Sequence, residues 1–150
     1  MGLKEKLQAD LTDAIKARNE TKAGTIRMVL AAITTEEVSG KQARVLTDAE
    51  IITVLSREAK KRREAIDAYA AANRADLVAK EKSESDVISA YLPEQLSDSE
   101  IEKLVQDAIN QTGASGPSAM GQVMKFLQPK IAGKADGGKV SAIVKKALGS

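Results

Sequence analysis

The chain has no cysteine, no histidine and no tryptophan, and only two tyrosines, one phenylalanine and three prolines among its 150 residues. Without cysteine there is no disulfide, no thiol nucleophile and no thiolate metal site. Without histidine the usual general base and the commonest zinc ligand are missing too, which excludes most hydrolytic mechanisms. So few aromatics leave no stacking platform for single-stranded nucleic acid, and Tyr69, Tyr91 and Phe126 sit where core or hinge packing explains them. No apolar run approaches the roughly 20 residues that cross a bilayer, and the first 11 residues mix acids with lysines where a signal peptide is apolar. Lys6 stands where a myristoylation motif requires Ser or Thr. Neither a P-loop nor a G-x-G-x-x-G after a strand is present. A cytoplasmic protein with no membrane attachment, no metal and no cofactor is the expectation.

What is abundant is aliphatic. Apolar residues make up 43% of the chain, and since they are Ala, Leu, Ile and Val rather than aromatics, the core is expected to be packed helices. Leu3, Leu7, Leu11 and Ile15 recur every four residues, and Ile26, Val29, Leu30 and Ile33 repeat the pattern after a polar break, which predicts two antiparallel helices. Thr47 and Glu50 have the spacing of a capping box, opening a third helix from about Asp48 to Ala72, about 36 Å long at 1.5 Å per residue. Its inward face is Ile51, Leu55, Ala59, Ile66 and Tyr69. A fourth helix over about 75–91 has a thin apolar face and stops at Pro93. Ser97 and Glu100 form a second box for a fifth helix, ended by Gly113. Pro117 starts a sixth that runs to about Gln128 and buries Met120, Val123, Met124 and Leu127. Asp136 is the N-cap of a seventh, with Val140, Ile143, Val144 and Leu148 inward. The expected architecture is all-α, a four-helix domain at 1–95 and a three-helix domain at 96–150.

Charge is unevenly spread. From Thr112 onward there are six lysines, Lys125, Lys130, Lys134, Lys139, Lys145 and Lys146, and one acid, Asp136, a local +5 in a chain whose total is +2. Lysines gathered around a glycine turn suit the phosphates of a folded, double-helical RNA, with steep salt dependence; a merely solubilising face has the same composition. Gly133, Gly137 and Gly138, with Lys134 and Lys139, resemble a phosphate cradle ahead of a helix N-terminus. Alternatively Gly133 caps one helix and Asp136 takes the anion position of the next. Arg57, Lys60, Lys61, Arg62 and Arg63 form a second basic patch, although four consecutive helical residues spread around the axis and Glu58 pairs with Arg62 at i, i+4. For acid–base chemistry only carboxylate pairs remain, Glu36 with Glu37 and Glu81 with Glu84, and such pairs on exposed helices are usually solvation.

Four strings occur in order: KKRREAIDAY at Lys60–Tyr69, YLPEQL at Tyr91–Leu96, GASGPSAMGQVM from Gly113 and PKIAGKADGGKV from Pro129. Together they resemble the GatB/YqeY family, specifically its small stand-alone YqeY-like proteins, over essentially the whole chain. The resemblance implies an all-helical protein whose C-terminal part is similar to the tail domain of the B subunit of glutamine-dependent tRNA amidotransferases, which contacts tRNA. The implied partners are tRNA and an amidotransferase or another protein of the translation apparatus. In those enzymes the carbon–nitrogen ligase chemistry resides in an amidase and a nucleotide-binding segment that these 150 residues do not resemble, so no catalytic residue is assigned. A helical protein-interaction module without RNA affinity is the alternative, and a carboxylate-based enzyme a distant third.

Overall fold

The computed structural model describes residues 2–149, and among them are seven α-helices, one 3-10 turn and no strand. The all-α expectation is met. The chain divides into two compact units, Met1–Leu92 and Pro93–Ser150.

The first unit holds α1 (Leu3–Lys16), α2 (Glu20–Glu37), α3 (Asp48–Ala71) and α4 (Ala75–Ser89). Leu7, Ile26, Val29, Ile33, Ile51, Leu55 and Ile88 form its core. Ile15, expected inward, is instead 50% exposed, while Ala14 is buried. A four-residue spacing turns about 40° too far at each step, so Ile15 has drifted about 80° from Leu7, whereas Ala14 lies within about 20° of it. The box at α3 closes both ways: Glu50 N–H donates to Thr47 Oγ1 at 3.2 Å and Thr47 N–H to Glu50 Oε2 at 2.8 Å. Ile66 and Tyr69 are half-buried. On α4 only Ile88 is fully buried, as the thin face foretells. Just beyond it Tyr91 donates its hydroxyl proton to Asp10 Oδ2 at 2.6 Å. Burial first, and then Asp10, push the Tyr91 hydroxyl well above its ordinary pKa.

The connection between α2 and α3 is drawn shut at its neck by Glu37. The Glu37 carbonyl accepts from Arg44 N–H at 2.9 Å, and its carboxylate accepts from Lys4 Nζ at 2.8 Å and Leu46 N–H at 3.3 Å. The Lys4 bond, opposed in part by burial, holds this carboxyl below the usual range.

The second unit holds α5 (Asp98–Thr112), a 3-10 turn (Pro117–Ala119), α6 (Met120–Ile131) and α7 (Gly137–Ala147), each helix packing on the other two. Ile101, Val105, Ala108, Val123, Leu127, Ile131, Val140, Val144 and Leu148 make the core, with Met120 and Met124 packed against it. Fully burying a residue such as Leu127 contributes about 1.5–3 kcal/mol. Ser97 accepts from Glu100 N–H at 3.2 Å, but of the two predicted boxes only the first forms the reciprocal bond. Gly113 ends α5 in the left-handed region, φ 64°. Pro117 opens a 3-10 turn rather than α6 itself, and α6 does not stop at Gln128 but runs through Pro129 to Ile131. Pro129 lacks the N–H that would donate to the Lys125 carbonyl, and its ring crowds that carbonyl. Ile131, one turn beyond Leu127, is nonetheless buried in the core.

Candidate nucleic-acid interface

All six lysines of the C-terminal segment are exposed. Two lie on α6: Lys125 opposite the buried stripe, and Lys130, whose ammonium stands 4.6 Å from the centroid of the Phe126 ring. Phe126 thereby carries a cation on its face. Lys134 lies in the connection to α7, and Lys139, Lys145 and Lys146 on α7.

The glycine turn resolves the choice between cradle and cap in favour of the cap. Gly133 has φ 73°, a conformation that suits glycine. Its carbonyl accepts from Gln95 Nε2 at 2.8 Å, and the Lys134 carbonyl accepts from Leu96 N–H at 2.9 Å, so the turn is tied to residues 93–96. At the start of α7, Gly138 N–H donates to Asp136 Oδ1 at 3.1 Å. The end that Gly137 and Gly138 were expected to open to a phosphate therefore already holds a carboxylate. Lys139 is likewise engaged, in an ion pair with Asp98.

This pairing shows what the local count of +5 omits. Over the whole unit from Pro93, Lys103 joins the six lysines, while Glu94, Asp98, Glu100, Glu102 and Asp107 join Asp136, so seven cations meet six acids. The net charge is only +1, with acids on α5 and lysines on α6 and α7. An open groove of about 630 Å³ between α5 and α7 has Asp98 and Glu102 along one edge, Lys139 and Lys146 along the other, and Val105 and Ile143 between.

The second basic patch is not a continuous surface. Arg62 is only 6% exposed. Its Nη1 donates to Glu58 Oε2 at 3.0 Å and its Nε lies 3.8 Å from Glu84 Oε2, so it fastens α3 to α4 rather than facing a ligand. Position 62 falls on the inward stripe, three residues after Ala59, and the aliphatic stem of Arg follows that stripe inward. Arg57 lies 3.6 Å from Glu36, and Lys61 donates to Glu58 at 3.2 Å; Lys60 and Arg63 are exposed. Of the carboxylate pairs, Glu36, Glu37 and Glu84 each face a cation, and the Glu37 carboxyl is held below, not above, its ordinary range. Among the described residues no cluster of three Asp or Glu is placed to hold a metal, and no helix is long and apolar enough to cross a membrane.

A family model described as "Yqey-like protein" matches residues 4–148. Among curated proteins, "Altered inheritance of mitochondria protein 41, mitochondrial" of Pyrenophora tritici-repentis is 30% identical over 148 residues, 97% of this chain and 80% of that protein. Proteins of the same name from Lachancea thermotolerans and Saccharomyces cerevisiae are 30% and 34% identical over 75% and 64% of this chain, which spans 60% and 51% of their lengths. These names speak of mitochondria and of no RNA, substrate or reaction.

Proposed function

This chain belongs to the YqeY-like family, and from that membership together with its lysine distribution we propose that its C-terminal unit binds the phosphate backbone of tRNA, as a non-catalytic accessory related to the amidotransferase tail. The observation that carries the reading is the exposure of all six lysines of α6, α7 and their connection. Lys125, Lys134 and Lys146 are the principal contacts, Lys130 reaches phosphate from its seat on Phe126, and Lys139 must first leave Asp98. Lysines make point-charge contacts with phosphate, so the recognition is of shape and charge, not sequence. The cytoplasmic location expected from the sequence is part of the proposal, and fractionation of the source cells tests it.

The test is binding of the purified chain to bulk tRNA and to duplex DNA of equal phosphate content as salt rises to physiological strength. Retained preference for tRNA, lost in a Lys125→Glu/Lys134→Glu variant that melts like the wild type, supports the reading. Parallel loss of both polymers sinks it. The α5–α7 groove favours a second reading, a protein-interaction module, because its two edges of opposite charge suit a helix charged in the complementary sense.

A further inference from the structure

We propose that the connection between α1 and α2 is a phosphate-binding site formed by Arg18 and Arg27. Two turns of the first unit share one backbone. Among its described residues Arg18 and Asn73 are the two non-glycine residues with positive φ, 58° and 57°. Each is followed by a residue whose N–H reaches back five positions, Asn19 to the Ala14 carbonyl and Arg74 to the Tyr69 carbonyl, both at 2.9 Å. The side chains are distributed in opposite order. At the α3–α4 turn asparagine, which tolerates left-handed geometry, takes the left-handed position. Arg74 follows and donates from Nε and Nη2 to Asp76, both at 3.2 Å. At the α1–α2 turn Asn19 is the helix cap, accepting from Lys22 N–H at 3.1 Å, and an arginine holds the strained position.

That arginine gains no internal partner in return. Among the described residues Arg44, Arg57, Arg62 and Arg74 each face a carboxylate, whereas Arg18 and Arg27 face none, and these two line one open pocket of about 520 Å³. Glu20 lines it too, but Arg27 lies two turns further along α2, about 10.5 Å by helical rise, so one carboxylate does not neutralise both guanidiniums. The half-exposed Ile15 forms an apolar wall. Two guanidinium forks beside an apolar wall suit an oxyanion with several acceptors, and phosphate is the group arginine matches best with paired bonds. It arrives either on an RNA backbone, in which case the site extends the tRNA reading above and rests on it, or on a small phosphate ester, in which case it does not.

The experiment follows backbone amide resonances of the full chain during titration with pyrophosphate, and separately measures tRNA affinity against salt, for wild type, Arg18→Gly and Arg27→Gln. Glycine relieves the left-handed backbone, so Arg18→Gly is expected to melt no lower than wild type, and lost binding in it is not lost folding. Saturable shifts confined to Ile15–Arg27, weakened about tenfold or more in both variants, support the site. Absence of such shifts with both pyrophosphate and tRNA, or their persistence in both variants, overturns it. A salt slope for tRNA shallower by about one per arginine removed identifies the phosphate as RNA's. Unchanged tRNA binding alongside lost pyrophosphate shifts identifies a small ligand. If wild type binds no tRNA at all, the RNA reading falls and the pyrophosphate arm alone decides this site.

Discussion

The two units are held together differently. The first has charges beneath its surface: its buried polar residues are Thr25, Glu37 and Arg62, and the last two tie helices and a connection together through ion pairs. Among its described residues the second buries only aliphatic side chains, and its Lys139–Asp98 pair is exposed at both ends. Stability in the first unit thus depends on charge state as well as shape. In the second it depends on shape, since an exposed ion pair contributes about 1 kcal/mol or less.

Three substitutions test that contrast. The largest effect is expected from Arg62→Ala, which leaves Glu84 half-buried without its cation and Glu58 with only the exposed Lys61, and costs about 3–5 kcal/mol in the first unit, read by urea denaturation with amide signals assigned to each unit. Leu127→Ala opens a cavity in the second unit at a cost of about 2–5 kcal/mol. Because no titratable group among its described residues is buried, that loss should be the same at neutral and acid pH; a pH-dependent loss would show that the second unit hides a charge coupling. The smallest is Glu37→Gln. The folded Glu37 carboxyl lies below 4.5, so its contribution is complete above that value and is lost as pH falls through the folded one. The variant should melt below wild type at neutral pH, and the two melting curves should converge in acid; a constant gap would assign the effect to packing instead.

The sequence showed the helices well because their ends are written in local chemistry. Thr47 with Glu50 and Asp136 with Gly138 each start a helix by a bond between residues two or three apart, and Gly113 ends one by taking the left-handed conformation. It misled where the deciding contact lies further off. The sixth helix reads as running to about Gln128, yet it continues to Ile131, which is held down by the core. The run from Lys60 to Arg63 reads as surface, yet Arg62 turns inward to Glu84 on the next helix, which no local pattern announces. For the lysines of the second unit the positions and exposure were legible, but the Asp98–Lys139 pair was not, because α5 reaches α7 only through tertiary packing. Arg18 escaped notice for another reason: nothing in its neighbours distinguishes a left-handed arginine from one that simply follows a helix.

The segregation of acids onto α5 and lysines onto α6 and α7 has a kinetic consequence. With a net charge of only +1, the second unit feels little pull toward a polyanion from afar, but a molecule with separated charges experiences a torque in the anion's field. Within about one Debye length, some 8 Å at physiological salt, it is turned lysines-first before contact. On the proposed reading, an encounter with tRNA is selected by orientation rather than by strength.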